Sequence, residues 1–193
     1  MSRIKAARKE LQLAQQALAK LRTAPDLEKL DSSWVEFVLC LERSWNKVRA
    51  DMKKYSKWQG WVGRGHMEQM RTTDPLVAYL RFARGVAEHG IAEITIKEKG
   101  SWQMRPIAGT TTAHIDELEI NSRGEIAKYK GSPMEISIKP AQLKLAPVEF
   151  RGVTYSVPTS HAGQPISSDP VTVAAAGVTF YEDCFNQIDA EFP

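Results

Sequence analysis

Cysteine is scarce in this chain, and its scarcity limits what can hold the fold together. Only Cys40 and Cys184 occur among 193 residues, and neither belongs to a Cys-x-x-Cys pair. Both fall inside apolar helical patterns, where a free thiol behaves as a small buried side chain. We therefore expect two reduced thiols in a reducing cytoplasm, and neither a disulfide nor a zinc site.

Long apolar runs and a strong charge of one sign are also missing. No stretch approaches the roughly 20 apolar residues that a helix needs to cross a bilayer, and the first ten residues are rich in charge. We expect a cytoplasmic protein with no membrane partner. Because 26 basic residues face 23 acidic ones, for a net charge of +3, any surface that binds nucleic acid has to be assembled by folding.

Several common catalytic signatures are absent. The sequence contains no Gly-x-Ser-x-Gly elbow, and the glycines in residues 60–65 do not follow a strand pattern, as a nucleotide-binding fingerprint requires. His66, His114 and His161 are far apart in the sequence and have no carboxylate at ligand spacing. We therefore expect neither a metal site nor a cofactor.

Helical periodicity is present over the first ninety residues. Residues 2–23 place apolar side chains at helical spacing among good helix formers, and Pro25 interrupts the pattern. The next helix is predicted to begin at Ser32 or Ser33, because Glu36 lies three residues after Ser33 and completes a capping box. Its apolar face is nearly continuous and comprises Trp34, Phe37, Val38, Leu41, Trp45, Val48, Met52 and Tyr55.

A third helix is predicted over residues 74–90, after a glycine-rich stretch. Asp74 has the side chain of an N-cap, Pro75 suits the first helical position, and Gly90 suits the end. Near the end of this helix lie Arg84 and His89. Arginine is a permanent forked donor for phosphate oxygens, and histidine exchanges protons near neutral pH.

The pattern changes to alternation after this helix. Short strands are predicted around residues 91–96, where Ile91 and Ile94 are apolar, and around 115–120, 134–138 and 143–148. Residues 151–168 are rich in turn formers and predict a surface loop, and Asp169 and Pro170 open a last helix. The expected fold is α+β, with a helical region at 1–90, a small antiparallel sheet and loop at 91–168, and a C-terminal helix at 169–193 packed on the bundle.

The segment DPLVAYLRFARGVAEHG, residues 74–90, resembles the motif helix of the HEPN superfamily, whose members commonly act as metal-independent ribonucleases. The resemblance rests on Arg84, four residues and then His89, at the end of a capped helix. It implies a HEPN-like N-terminal bundle and a homodimer in which two motif copies face one groove. Residues 151–163 and the last helix resemble the C-terminal parts of uncharacterised bacterial proteins.

The function that this resemblance implies is cleavage of RNA without a metal. A 2′-hydroxyl attacks the adjacent phosphodiester, His89 acts as general base or acid, and Arg84 stabilises charge on the phosphate. Three further basic residues are predicted to contact the substrate: Arg81, Lys57 and Arg64. A role as a bacterial toxin or phage-defence effector, with an antitoxin-like partner, follows by analogy alone.

Two other functions stay open. Gly85 stands where active members usually carry a polar residue, often asparagine, so the bundle could be a non-catalytic binding or assembly module. If Gly85 is the weak point of an intact site, Gly85→Asn is expected to raise activity. Arg84 could also pair with Glu88, four residues later, in a surface charge cluster.

The third function is nucleic-acid binding by residues 53–64, where bases and aromatics interleave. Aromatic stacking together with cations is how proteins hold single strands. Tryptophans at helical spacing also suit a core, which is the alternative explanation of Trp58 and Trp61.

Overall fold

The computed structural model describes residues 2–90, 92–107, 113–121 and 126–193. Within these ranges the chain forms six α-helices and ten short strands, in agreement with the predicted α+β class. Ile91, predicted as a strand residue, lies outside the described residues. The helices are α1 (Lys5–Thr23), α2 (Leu27–Met52), α3 (Ser56–Gly60), α4 (Val62–Thr73), α5 (Pro75–His89) and α6 (Pro170–Glu191).

The strands are short and pair two by two. They are β1 (Thr95–Glu98), β2 (Ser101–Pro106), β3 (Ile115–Ile120), β4 (Ile126–Gly131), β5 (Met134–Lys139), β6 (Gln142–Leu145), β7 (Val148–Phe150), β8 (Val153–Tyr155), β9 (Ser160–His161) and β10 (Gln164–Pro165). Where the sequence predicts one small sheet, the described strands form five separate pairs: β1–β6, β2–β5, β3–β4, β7–β8 and β9–β10. These pairs are not joined to one another by strand pairing, so the prediction of a single sheet is wrong.

The chain divides into two compact units, Met1–Ile96 with Leu143–Pro193, and Lys97–Gln142. The sequence places boundaries at residues 90 and 168 because the local pattern changes there. In the structure the chain returns to the helical unit at Leu143, and the hairpins after it pack on α5. Membership of a unit is decided by these long-range contacts, which a change of local pattern does not show.

The first unit has its core between α1, α2, α5 and α6. The apolar face predicted for α2 is buried from Trp34 to Met52, and Cys40 and Cys184 are both buried and free. Burial raises the pKa of the Cys184 thiol to about 12, so it stays protonated at neutral pH. Helix α6 lies on α1, α2 and α5. A Cβ on Gly177 would lie 2.6 Å from Leu80 Cδ1, so a larger residue at this position would have to displace the Leu80 side chain between α6 and α5.

The start of α2 differs from the prediction. The helix begins at Leu27, because Asp26 adopts an extended conformation and its carboxylate accepts a hydrogen bond of 2.7 Å from the Lys29 N–H. Ser33 is buried inside the helix instead of capping it. Both positions carry a side chain suited to an N-cap, and the cap forms at the earlier one.

The second unit consists of the antiparallel pairs β2–β5 and β3–β4. Alternate residues of a strand share a face, and one face of β2–β5 carries apolar side chains alone. They are Trp102, Met104, Pro106, Met134, Ile136 and Ile138. None of the described residues between 97 and 142 is buried. This unit therefore has an amphipathic ribbon but no buried core among its described residues.

The segment predicted as a surface loop at residues 151–168 contains ordered hairpins. Two-residue turns connect β7 to β8 and β9 to β10, and the first residue of each turn has a positive φ, 53° at Arg151 and 48° at Ala162. Glycine follows in both, and positive φ at both turn positions is the geometry that favours tight hairpins. The prediction of an irregular loop was wrong, because the local turn residues close hairpins.

Asp74 joins one of these hairpins to the start of α5. Its carboxylate accepts hydrogen bonds from Val77 N–H at 3.1 Å and from Ala162 N–H at 2.7 Å, and His161 Nδ1 lies 3.0 Å away. Burial by itself raises the pKa of the Asp74 carboxyl, but these hydrogen bonds outweigh burial and hold the pKa below its usual value. The ionised carboxylate is therefore the form that stabilises the fold.

We expect Asp74→Ala to lower the free energy of unfolding at pH 7 by about 2 to 3 kcal/mol, from a lost cap and an unpaired Ala162 N–H. The stabilisation by Asp74 is fully present above about pH 4, the usual value for an unfolded aspartate, and is lost as pH falls through the lower folded pKa. Urea unfolding at pH 7 and pH 3 measures both effects. The control is Asp169→Ala, which removes a cap bond to Thr172 N–H at the exposed start of α6. Equal losses in the two variants would contradict a joining role for Asp74.

Candidate functional site

Helix α5 positions the two residues of the sequence motif. Asp74 caps it, Pro75 occupies its first turn, and Gly90 ends it with a φ of 59°, as the sequence predicted. His89 is therefore the last helical residue, and its side chain is exposed. The structure places Arg84 about one and a half turns before His89, with 27% of its side chain exposed.

Arg81, Arg84 and His89 line one open cleft with residues from three other elements. The cleft has a volume of about 750 Å³ including its open mouth. Its other lining residues are Glu42, Asn46 and Arg49 of α2, Arg71 of α4, Phe82 and Gly85 of α5, and Phe150 and Arg151 of the β7–β8 hairpin. The lining residues thus include five arginines, one histidine and a single carboxylate, an arrangement that attracts anions. We call this site the arginine cleft.

A buried ion pair forms the floor of this cleft. Arg71 donates hydrogen bonds of 3.0 and 2.7 Å to the two carboxylate oxygens of Glu42, and the Tyr181 hydroxyl contacts both side chains. The side chains of Arg71 and Glu42 are only 4% and 3% exposed. Burial opposes the charge on Arg71, but the neighbouring Tyr181 and Glu42 raise its pKa. Glu42 neutralises Arg71, and Arg49 Nε lies 3.7 Å from the partly exposed Glu68 carboxylate. Among the described residues no carboxylate forms an ion pair with Arg81 or Arg151, so these two arginines supply unpaired positive charge in the cleft.

Arg84 is engaged within its own helix. Its Nη2 lies 2.7 Å from Glu88 Oε1 and 2.6 Å from Glu88 Oε2, so the surface ion pair weighed from the sequence is present. Its Nε is buried and has no hydrogen-bond partner among the residues that the structure describes. Because Glu88 occupies Nη2, a phosphate that binds Arg84 has to compete with the Glu88 carboxylate for the guanidinium group.

Packing explains why position 85 carries glycine, and the sequence alone does not show this packing. A Cβ at this position would lie 3.0 Å from Phe150 Cε2 and 3.3 Å from Phe150 Cδ2. The Phe150 ring also packs on Phe82, with 5.5 Å between the ring centroids. Asparagine at position 85 would have to displace this ring, so the structure gives no support to Gly85→Asn as a gain of activity.

The other two predicted substrate contacts lie elsewhere. Lys57 forms an ion pair with Glu191 and lies over the Phe192 ring. Arg64 donates to Gln59 O at 3.2 Å and lines a second cleft that shares Asn46 and Arg49 with the first. The structure therefore brings Arg64 next to the arginine cleft but does not bring Lys57 into either cleft.

In the basic and aromatic segment at residues 53–64, Trp58 is buried and the other residues are exposed or half-buried. Trp58 is 2% exposed and packs against Trp61 and Phe192. A buried indole cannot stack on a base, so the core explanation of Trp58 is the one that the structure supports.

Sequence reasoning missed the arginines that come from outside α5. Arg151 could have been found, because two residues ending in glycine separate the strand-like stretches VEF and VTY, which is the length of a tight hairpin turn. Arg49 could also have been found, since Glu42, Asn46 and Arg49 recur at helical spacing and form a polar line on an otherwise apolar helix. Arg71 carries no local signal.

Across the described ranges, no three His, Cys, Asp or Glu side chains lie close enough to hold a metal ion. In the same part of the chain no helix is long and apolar enough to span a membrane. No known protein family, curated protein or solved structure matches this chain. The function of this chain therefore has to be inferred from the residues of the cleft.

Removing the internal competitor of Arg84 is expected to strengthen anion binding. We expect Glu88→Gln to bind single-stranded RNA about two- to fivefold more tightly, because an exposed i,i+4 ion pair contributes up to about 1 kcal/mol. Fluorescence anisotropy at about 0.1 M salt measures this affinity, with the Debye length near 10 Å. The matched control is Glu36→Gln, which removes the same charge from the surface pair with Lys20. An equal gain in both variants would mean that net charge, not Arg84, is responsible.

Proposed function

We propose that this protein binds single-stranded RNA in the arginine cleft and cleaves it without a metal, as HEPN ribonucleases do. The observation that supports the proposal is the convergence of Arg84 and His89 with Arg49, Arg81 and Arg151 in one open cleft. Guanidinium forks match phosphate oxygens in geometry and charge. Arg49 and Arg84 form ion pairs with the partly exposed Glu68 and Glu88, whereas in the described part of the chain no carboxylate pairs with Arg81 or Arg151.

The proposed reaction uses the 2′-hydroxyl of RNA as the nucleophile. Its oxygen forms a new bond to the adjacent phosphorus, and the bond from phosphorus to the 5′-oxygen breaks. One proton leaves the 2′-oxygen and one joins the departing 5′-oxygen. His89 transfers one of these protons as general base or acid. Arg84 releases Glu88, binds the phosphate instead, and stabilises the negative charge that develops on the phosphate oxygens.

The proposed homodimer has to use the end of α5. Most of this helix is covered by its own chain, and exposed positions are Pro75 at its start and Glu88 and His89 at its end. Two copies of the motif could therefore face one groove only through the C-terminal end of the helix. An antitoxin-like partner, proposed by analogy, would present acidic side chains to the same cleft.

The test is incubation of the purified chain with a 5′-labelled single-stranded RNA and EDTA. We expect cleavage that leaves a 2′,3′-cyclic phosphate, while DNA of the same sequence is bound but not cut because it lacks the nucleophile. Failure to bind RNA even at low salt, where phosphate contacts are strongest, would overturn the proposal.

A second candidate is a non-catalytic RNA-binding module. It is favoured by the Arg84–Glu88 ion pair and by the Phe150 ring, which fills the place beside Gly85. Salt-dependent binding of RNA without any cleavage would select this function.

A further inference from the structure

A further cavity lies at the tip of the β7–β8 hairpin. It is lined by His89, Ala92, Glu149, Phe150 and Arg151 and has a volume of about 1070 Å³ including its open mouth. Three of these residues, His89, Phe150 and Arg151, also line the arginine cleft. A ligand in this cavity would therefore lie directly beside a phosphate bound in the cleft.

The hairpin tip contributes a stacking platform to the lining of this cavity. Arg151 is held at a φ of 53°, in the left-handed region that favours glycine, and its guanidinium lies over the Phe150 ring at 5.3 Å. The ring is itself held against Gly85 and Phe82. Unpaired bases stack on aromatic rings and on guanidinium planes, so the pair suits a nucleobase.

Glu149 supplies the polar group that can read the base. Glu149 is exposed and lines the cavity. Its carboxylate forms no hydrogen bond or ion pair with any residue in the described part of the chain. An ionised carboxylate only accepts hydrogen bonds, and its two oxygens match two adjacent donors. Among the four RNA bases, guanine alone places two donors, N1–H and the N2 amino group, side by side on its pairing edge. Adenine and cytosine place an acceptor beside the donor, and uracil has one donor between two acceptors.

We propose that this cavity is a guanine subsite, in which the base stacks on Arg151 over Phe150 and donates to Glu149 while its phosphate occupies the arginine cleft. The inference rests on the proposed RNA binding and adds the base preference. It assigns cleavage to phosphates next to guanosine.

The test is NMR titration of the whole chain with the 3′-monophosphates of guanosine, adenosine, cytidine and uridine. A bidentate base contact gives about 1 to 3 kcal/mol of discrimination, so guanosine 3′-monophosphate is expected to bind at least about fivefold more tightly than the others. Glu149→Gln is expected to abolish this preference, while the lost negative charge changes the affinity for all four nucleotides and for inorganic phosphate in the same direction. The control, Glu119→Gln, changes an exposed strand glutamate of the second unit and should keep the preference.

The possible failures are distinguishable. Equal binding of all four nucleotides, or a guanosine preference that survives Glu149→Gln, would overturn the guanine subsite while RNA binding stands. Absence of binding for every nucleotide and for inorganic phosphate would overturn both the subsite and the proposed function.

Discussion

Replacing Glu42 by alanine is expected to lower the free energy of unfolding by about 3 to 5 kcal/mol, because it removes the buried carboxylate that hydrogen-bonds and neutralises Arg71. The remaining carboxylate near Arg71, that of Glu68, is 3.9 Å from Nε and partly exposed. Arg71 is 3% exposed, so solvent cannot replace the lost carboxylate. The Tyr181 hydroxyl loses its contact with Glu42 in the same variant. Urea unfolding followed by tryptophan fluorescence measures the loss, since Trp45 lies 5.0 Å from the Arg71 guanidinium.

Two further variants separate the unpaired charge from the lost volume. Glu36→Ala breaks the exposed pair with Lys20 and should change stability by less than about 1 kcal/mol. The double variant Glu42→Met with Arg71→Met should regain most of the stability, because apolar replacement of a buried ion pair is often neutral or stabilising. A loss below 1 kcal/mol in Glu42→Ala, or a double variant as unstable as the single one, would contradict this explanation.

His89→Ala is expected to reduce RNA cleavage by about 100-fold or more while changing RNA affinity little, because proton transfer by a positioned side chain contributes about 10² to 10⁴ in rate. Arg84→Ala should reduce both cleavage and affinity, since the same fork binds the phosphate in the ground state. Arg84→Lys should not restore cleavage, because a single ammonium cannot form the forked contact. Single-turnover cleavage and anisotropy measure the two quantities separately.

The control for His89→Ala is His66→Ala. His66 is an exposed residue of α4 that lines neither the arginine cleft nor the cavity proposed as the guanine subsite. Full activity is expected in this variant. Equal cleavage by the wild type and His89→Ala would show that another site, or a contaminating nuclease, cuts the RNA.

The helix ends show where local signals suffice and where they compete. Asp74 and Asp169 cap α5 and α6 as predicted, because each is followed by proline and each carboxylate accepts the N–H three residues later. At α2 two capping signals lie seven residues apart in the sequence, at Asp26 and Ser33. The sequence could not rank them, and in the structure Ser33 belongs to the buried helix interior.

The sequence by itself determined the features that depend on neighbours a few residues away. These are the apolar face of α2, the caps of α5 and α6, the buried state of Cys40 and Cys184, and the position of Arg84 and His89 at the end of one helix. Helical periodicity and capping act over one or two turns, which is why the sequence shows them directly.

Only the tertiary structure decided which residues share the cleft. Arg71 reaches Glu42 across 29 residues and Tyr181 across 110, and Arg151 arrives on a hairpin that packs on α5 through Phe150 and Gly85. These long-range contacts form because separate elements bury their apolar faces against one another. The residues next to each side chain in the sequence do not indicate which distant side chain it will contact.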